Sequence, residues 1–180
     1  MLSAGINTAP YSLDADSLDR HFGVNWLGHF YIVNILYPLL RKTSKQPGAP
    51  AGKIVFESSE MHRATPSVLK FGSIKDINNP DLGPMALYAR TKLCMILGVK
   101  YGLFEKVIKP NKDNIYALAV HPGTVWLSLI YPALRLTTSQ VRTAMQQQWK
   151  EAYPGIVGET AKDIGMAFGK SPEQGAYTAL

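Results

Sequence analysis

The order in which strand-like and helix-like segments alternate is the strongest constraint on how this chain can fold. Short apolar segments typical of strands are separated by longer segments with apolar residues at helical period. The strand-like segments are 2–6, 53–57 and 114–120, and the helix-like segments are 14–41, 85–106, 137–149 and 160–168. Because strands joined by crossover helices run parallel, this order predicts an α/β fold.

The number of strands predicts only part of such a domain. Open sheets usually contain about four to six strands, whereas this sequence shows three. Segment 2–6 has the character of a strand end, and Ser171-Pro172-Glu173 has the character of a helix start, with serine at the N-cap and proline at the first helical position. We therefore expect residues 1–180 to form a single, partial domain.

The basic charge of the chain does not by itself point to a nucleic-acid partner. The formal net charge is +6, but the lysines are spread along the sequence. The two basic groups, at 41–45 and 106–112, follow apolar helical segments. Cations at helix C-termini are favoured by the helix dipole, so this placement has a structural explanation.

The sequence predicts a cytoplasmic protein without a membrane span. Segment 22–40 approaches the length of a membrane helix, but Asn25, His29 and Asn34 recur in it at helical spacing and are costly in hydrocarbon. We expect a helix buried by protein instead. The single cysteine, Cys94, permits no internal disulfide and fits a reducing compartment. The first residues do not resemble a signal peptide.

A tyrosine and a lysine four positions apart are the first residues that suggest chemistry. Tyr88 and Lys92 lie in a helical segment, so both side chains share one face, one turn apart. An ammonium beside a phenol favours the phenolate and lowers its pKa. Such a tyrosine can exchange a proton with an alcohol or carbonyl oxygen. The pair alone is a weak signal, because chance produces similar spacings.

Other polar residues follow or interrupt the elements in ways that support this site. Ser58 and Ser59 end a strand, which is where open α/β sheets bind ligands. Asn25 interrupts an apolar helix, where a carboxamide needs a partner. Pro122-Gly123 follows the last strand and permits either a turn or a close approach of backbone to a ligand.

Four ordered motifs resemble the short-chain dehydrogenase/reductase family, above all its retinol-dehydrogenase-like and WW-domain-oxidoreductase-like members. They are Phe-Gly-Val-Asn-Trp-Leu-Gly-His-Phe (22–30), Lys-Ile-Val-Phe-Glu-Ser-Ser (53–59), Tyr-Ala-Arg-Thr-Lys-Leu (88–93) and Ala-Val-His-Pro-Gly-Thr-Val (119–125). Ser-Pro-Glu-Gln-Gly-Ala (171–176) also fits. The resemblance covers essentially the whole chain and implies part of a Rossmann-like, doubly wound parallel sheet.

The resemblance implies a hydride-transfer site that uses a nicotinamide cofactor and no metal. Tyr88 is then the general acid/base, and Lys92 lowers its pKa and binds the cofactor ribose. Ser59, rather than Ser58, positions the substrate carbonyl, and Asn25 anchors a water behind Lys92. The residues implied to line the cofactor are Ala4, Gly5, Tyr88, Lys92, Pro122, Gly123, Thr124 and Val125.

The sequence departs from the family pattern where the cofactor binds. No Gly-rich pyrophosphate turn occurs in the 180 residues, so we expect the first strands and this turn to be lacking. Ser3 stands where the family has the asparagine of Asn-Ala-Gly, and Leu127 stands where a threonine is common. The residue that selects NAD or NADP has no counterpart, so NADP follows from the subgroup alone and NAD stays open.

Two functions of different classes are compatible with these features. The first is an oxidoreductase acting on a hydroxyl or carbonyl group of a lipophilic small molecule, with 126–136 and 137–149 forming a substrate lid. The second is an inactive, truncated remnant that acts through subunit association, for which the long apolar helices offer a homodimer surface.

Overall fold

The computed structural model describes residues 1–122, 148–168 and 171, and its centre is a parallel sheet. Strand β1 (Gly52–Glu57) pairs in parallel with β2 (Ile115–Val120), in a register that places Gly52 opposite Ile115 and Glu57 opposite Val120. Leu2 adds one parallel bridge on the other edge of β1, at Phe56. The expected α/β fold with parallel strands is therefore confirmed in the described part of the chain, and segment 2–6 contributes a single bridge.

The first helical region begins six residues later than the sequence predicts. It comprises α1 (Arg20–Phe22), a π-helical turn (Gly23–Leu27) and α2 (Gly28–Ser44). The start is delayed because the Asp14 carboxylate accepts hydrogen bonds from the backbone N–H groups of Asp16 and Leu18, which closes a turn. Asp19, not Asp14, is the N-cap, and it accepts from the N–H of Phe22 at 2.8 Å.

The second helical region runs without interruption from Pro84 to Asn111. It comprises α4 (Pro84–Leu97), a π-helical segment (Gly98–Ile108) and α5 (Lys109–Asn111). Proline is favoured at the first helical position, because the N–H that it lacks would have no acceptor within the helix there. Lys112 ends the region in the left-handed conformation. A 3₁₀ turn (Glu60–Ala64) and α3 (Ile74–Ile77) lie between β1 and this region.

The described core lies where the two helical regions pack on the sheet. Alternate residues of β1 point to that side. The buried cluster consists of Tyr37, Ile54, Phe56, Met95, Val99, Ile108 and Ile115. The polar end of the same layer is an ion pair, in which Arg41 and Lys45 at the end of α2 both contact Asp113. The first basic group of the sequence thus has an acidic partner as well as the helix dipole.

Two shorter helices form the rest of the described structure. They are α6 (Gln148–Ala152) and α7 (Ile156–Phe168), and α7 begins four residues before the predicted 160. The expected lid at 126–136, most of the expected helix at 137–149 and the helix start after Ser171 lie outside the described residues. Within those residues, none of the helices has both the length and the apolar character needed to cross a membrane.

Candidate active site

The two serines that follow β1 have different environments. The N–H of Ser58 donates to the carbonyl oxygen of Val120 at 2.6 Å, and its hydroxyl donates to the carbonyl oxygen of Lys92 at 2.8 Å. Ser58 therefore ties the ends of both strands to α4. Because the Ser58 hydroxyl donates its proton to the Lys92 carbonyl oxygen, this side chain has a structural role and does not offer a donor to a substrate.

Ser59 is turned toward Tyr88. Its backbone is extended, and its hydroxyl oxygen caps the 3₁₀ turn by accepting from the N–H of Met61 at 3.2 Å. The same side chain lies close enough to the Tyr88 hydroxyl to lower its pKa. The buried Ser59 and the partly buried Tyr88 thus place two hydroxyl groups together at the carboxyl edge of the sheet, where one substrate oxygen can contact both.

Lys92 lies over the Tyr88 ring from one turn further along α4. Its Nζ is 5.4 Å from the ring centroid, within the range of a cation–π contact. The ammonium donates to the carbonyl oxygen of Glu57 at 2.6 Å and lies 4.0 Å from the Met95 sulfur. Helical spacing alone predicts that the side chains of Tyr88 and Lys92 share a face, and in the structure they are in contact.

The pKa values of the pair differ from what the sequence suggests. Burial is the largest effect on both groups: it raises the pKa of Tyr88 well above its usual value, and it lowers the pKa of Lys92 to about 8. The nearby Ser59 side chain lowers the pKa of Tyr88, whereas the charge of Glu57 raises it. The net shift of the Tyr88 pKa in this structure is therefore upward, because desolvation of the phenolate dominates, and the lowering effect of Lys92 stays a prediction.

Asn25 is fully buried in the π-helical turn, and all of its amide hydrogens are used. Its side-chain oxygen accepts from the N–H of Ile6 at 2.8 Å, and its Nδ2 donates to the Ile6 carbonyl and to Thr91 Oγ1 at 2.9 and 3.1 Å. Thr91 in turn donates to the carbonyl oxygen of Tyr88 at 2.7 Å. The side chain of Asn25 thus joins three segments, and neither of its amide hydrogens is free for a water behind Lys92.

The remaining residues of the predicted site lie at the same edge of the sheet or outside the described residues. Ala4 is exposed, and Gly5 packs so closely on Asn25 that an added Cβ would lie 3.0 Å from Oδ1. Pro122 follows β2 and is partly buried. Gly123, Thr124 and Val125 lie outside the described residues.

Sequence reasoning missed three residues that shape the site. Arg90 is fully buried and pairs with Asp19 at 3.0 Å, and Thr91 links Asn25 to the backbone of Tyr88. Burial raises the pKa of Glu57, while the charge of Lys92 opposes that shift. A charged residue inside an apolar helical segment was the available signal for Arg90; Glu57 and Thr91 have no local signal of this kind.

Comparisons with known proteins find similarity to several oxidoreductases and dehydrogenases. No family model matches the chain. The human WW domain-containing oxidoreductase is 35% identical over 127 residues, which cover 68% of this chain and 28% of that protein. Polyprenol dehydrogenase of Danio rerio is 36% identical over 127 residues, covering 68% of this chain and 36% of that protein. Human retinol dehydrogenase 14 is 29% identical over 181 residues, covering 99% of this chain and 44% of that protein.

A solved structure is also similar. A crystal structure of an uncharacterized protein from Mycobacterium paratuberculosis has a TM-score of 0.52 and 27% identity, and the match covers 66% of this chain and 39% of the other. The chain thus spans less than half the length of the relatives given above.

Proposed function

Because the chain belongs to the short-chain dehydrogenase/reductase family, we propose that it is the catalytic part of an oxidoreductase, a single partial Rossmann-like domain over residues 1–180. The reaction is transfer of hydride between NADP(H) and a hydroxyl or carbonyl group of a lipophilic small molecule. The observation that carries the proposal is the Lys92 ammonium over the Tyr88 ring at the carboxyl edge of the sheet, where the nearby Ser59 side chain acts on the Tyr88 hydroxyl.

The donor set of the site fits the ribose of a nicotinamide cofactor. The Lys92 ammonium has three donors, and in the described part of the chain one carbonyl and one sulfur engage it. Its remaining donor suits a sugar hydroxyl oxygen. Lys92 and Tyr88, with the backbone at Ala4, Gly5 and Pro122–Val125, would hold the nicotinamide half. When bound, the cofactor supplies the hydride, and the protein supplies orientation and proton transfer.

Tyr88 is suited to give a proton to the substrate. Because burial raises its pKa, the phenol is protonated at neutral pH. A carbonyl oxygen placed between the two hydroxyls can accept from both Ser59 and Tyr88. As negative charge develops on that oxygen, Tyr88 transfers its proton and Ser59 keeps its hydrogen bond. Lys92 then stabilises the phenolate that is left, because its charge lies above the ring.

The finer parts of the proposal rest on the relatives and on composition. Two relatives are named as dehydrogenases of polyprenol and retinol, and both alcohols are lipophilic. That supports an apolar alcohol or carbonyl compound as substrate and, through the subgroup, NADP rather than NAD. We also propose a cytoplasmic location, which the single, buried and unpaired Cys94 supports.

Turnover of the purified chain with NADPH tests this function. Reduction of retinal, a long-chain aldehyde and a small ketone is followed at 340 nm, and the same assay with NADH measures cofactor preference. We expect Tyr88→Phe to lower kcat by about 10²–10⁴-fold, the usual contribution of a general acid. Tyr101→Phe is the matched control, because Tyr101 lies on the same helical region and is 52% exposed. Equal turnover by both variants would contradict the proposal.

The second candidate, a non-catalytic chain that associates with a copy of itself, is favoured by the surface of α2. Large apolar side chains are exposed along this helix, namely Phe30, Tyr31, Ile32, Ile35, Leu36 and Leu39. Exposed apolar area of this extent is typical of interaction surfaces. Sedimentation velocity of the same sample measures its oligomeric state, and calorimetric titration with NADPH measures cofactor binding. A dimer that shows neither heat of binding nor turnover supports association alone.

A further inference from the structure

A groove that the proposed mechanism does not use runs between the first and second helical regions. Its cavity is about 500 Å³, and small-molecule sites usually measure roughly 300–1,000 Å³. One end is closed where the Trp26 indole packs on Gly98. Toward the other end, the Tyr37 hydroxyl donates to the Asp113 carboxylate at 2.7 Å. The two helical regions therefore run side by side between these contacts, and the groove follows their length.

The walls of the groove are mainly apolar. The first helical region contributes one face, whose side chains recur every three or four residues, namely Trp26, Phe30, Val33 and Tyr37. Phe56 of β1 also lines it, with its ring 6.1 Å from that of Trp26. At 1.5 Å per residue, the distance along the helical axis from Trp26 to Arg41 is roughly 22 Å. The shape and lining therefore suit an elongated apolar chain.

The opposite wall leaves room for such a chain at Gly102. An added Cβ at Gly98 would collide with the Trp26 indole, whereas nothing lies within 4 Å of a Cβ added at Gly102. Gly102 lines the same cavity. One helical turn thus separates a position where the two regions touch from a position where they stand apart.

Cations are concentrated at the end of the groove near Asp113. Arg41 and Lys106 both line the cavity there. Arg41 forms an ion pair with Asp113 at 2.9 Å. In the described part of the chain no carboxylate pairs with Lys106, and the neighbouring Glu105 pairs with Lys109 instead. This end of the groove therefore keeps a net positive charge, which complements an anion.

This basic end is far from the proposed active site. Asp113 lies two residues before β2 begins, at the amino edge of the sheet, whereas Ser59 follows the carboxyl end of β1. A strand of six residues spans roughly 20 Å. A head group bound at Arg41 and Lys106 is therefore well separated from the residues proposed to transfer a proton.

An apolar groove with one basic end matches the two parts of a fatty acid. Arg41 bonds Asp113 through Nε, so the terminal nitrogens of its planar guanidinium can face a second carboxylate. We propose that this groove binds a long-chain fatty acid anion, with its carboxylate between Arg41 and Lys106 and its chain over Gly102 toward Trp26. The binding does not depend on the proposed function and needs no nicotinamide cofactor.

Calorimetric titration of the full chain with dodecanoate, without NADPH, tests the proposal. Dodecan-1-ol has the same chain without the charge and should bind at least tenfold more weakly. Lys106→Met should weaken dodecanoate binding by about tenfold, because a charge-assisted hydrogen bond is lost. Lys100→Met is the matched control: Lys100 is exposed on the same helical region, with its Nζ 4.9 Å from the Tyr101 ring centroid. It should leave the affinity unchanged.

Gly102→Leu tests where the chain of the fatty acid lies. The leucine side chain extends into open space, so the variant should keep the circular dichroism spectrum of the wild type and lose the heat of binding. A folded variant that binds dodecanoate as the wild type does would overturn the proposal, and so would equal affinities for dodecanoate and dodecan-1-ol. If Gly102→Leu does not fold, Lys106→Met decides, because an unchanged affinity in that variant would place the anion elsewhere.

Other occupants of the groove give different results. Phe30 belongs both to the groove and to the exposed apolar face of α2, so a second copy of the chain is one alternative. A dimer in sedimentation velocity that gives no heat with dodecanoate would overturn the proposal in favour of self-association. Sedimentation with phosphatidylserine vesicles, without heat from free dodecanoate, would overturn it in favour of a membrane surface. Absence of turnover with NADPH bears on the proposed function alone, and the titration with dodecanoate still decides the role of the groove.

Discussion

Helix α4 carries two buried cations two residues apart, and the protein treats them differently. Arg90 is fully buried, and its guanidinium contacts the Asp19 carboxylate at 3.0 Å and the carbonyl oxygens of Ile77 and Asp76 at 2.9 and 3.2 Å. Lys92 is 5% exposed and has one carbonyl oxygen, at 2.6 Å, and a distant sulfur. In the described ranges no carboxylate forms an ion pair with it.

The difference distinguishes a structural cation, Arg90, from a cation that is available for chemistry, Lys92. The charge of Arg90 is neutralised within the fold, and its bonds join α4 to the N-terminus of α1 and to α3. The charge of Lys92 is only partly compensated, so burial lowers its pKa to about 8. A cation whose charge the fold leaves uncompensated can bind a ligand or change its protonation state, whereas a cation paired with a carboxylate holds its neighbours in place.

Removing the carboxylate of the Arg90–Asp19 ion pair should have the largest effect on stability. Asp19→Ala leaves the Arg90 guanidinium buried without a counter-charge and also removes the N-cap of α1. We expect the free energy of unfolding to fall by about 4 kcal/mol, as for other broken buried ion pairs. Urea denaturation followed by circular dichroism measures it. Glu105→Ala, which breaks the exposed Lys109–Glu105 pair, should change stability by less than about 0.5 kcal/mol.

A loss below about 1 kcal/mol in Asp19→Ala would contradict the proposed contrast. It would mean that Arg90, like Lys92, tolerates an uncompensated charge, and that its carbonyl partners alone hold α4 in position.

Lys92 should reveal its uncompensated charge through the pH dependence of stability. Its ordinary pKa of 10.5 is lowered to about 8 in the folded chain. Between these values the unfolded chain binds a proton that the folded chain does not, so stability rises with pH. The 2.5 units of difference, 10.5 minus 8, correspond to about 3 kcal/mol over this range.

Urea denaturation of the wild type and of Lys92→Met at pH 7 to 10.5 isolates this contribution, because other titrations cancel in the difference. The free energy of unfolding of the wild type should increase relative to that of Lys92→Met as pH rises. Lys109→Met, at an exposed position, is the control and should give a constant difference from the wild type. A constant difference for Lys92→Met would show that the ammonium is as well compensated as Arg90.

The position of the second helical region against the first should depend on a close contact between their π-helical segments that involves neither cation. An added Cβ at Gly98 would lie 1.9 Å from the far edge of the Trp26 indole, whereas at Gly102, one turn on, nothing lies within 4 Å. Gly98→Ala should therefore destabilise the chain by about 2 kcal/mol through overpacking. Gly102→Ala should stabilise it by up to about 1 kcal/mol through helix propensity. Thermal unfolding of both measures the contrast, and equal effects would contradict it.

The parts of the fold and site that follow from local geometry could be predicted from the sequence. The parallel α/β order follows from alternation, and the shared face of Tyr88 and Lys92 follows from a spacing of four in a helix. The position of Ser58 and Ser59 at a strand end follows in the same way. Each of these depends on residues within a few positions of one another.

The rest depends on contacts between distant residues. Asp19 and Arg90 are separated by 71 positions, and no spacing rule connects them. The start of α1 was missed because Asp14 and Asp19 are both good N-caps, and tertiary contacts with Asn78 and Arg90 select the second. The upward net shift of the Tyr88 pKa could not be predicted, because a nearby charge is visible in sequence, whereas the depth of burial is not.

The smallest effect on stability is expected at the two adjacent serines. Ser58 is structural and Ser59 belongs to the proposed site, which is the same contrast as that between Arg90 and Lys92. The hydroxyl of Ser58 donates across 34 positions to the Lys92 carbonyl, so Ser58→Ala should lower the free energy of unfolding by about 1 kcal/mol. Ser44 is the matched control: it is also buried, but it donates to the Arg41 carbonyl three residues back in its own helix. Such local bonds add little to a helix, and alanine has the higher propensity, so Ser44→Ala should be nearly neutral. If urea denaturation gives both variants the same stability, Ser58 does not tie the strands to α4, and the assignment of Ser59 alone to the site loses its structural basis.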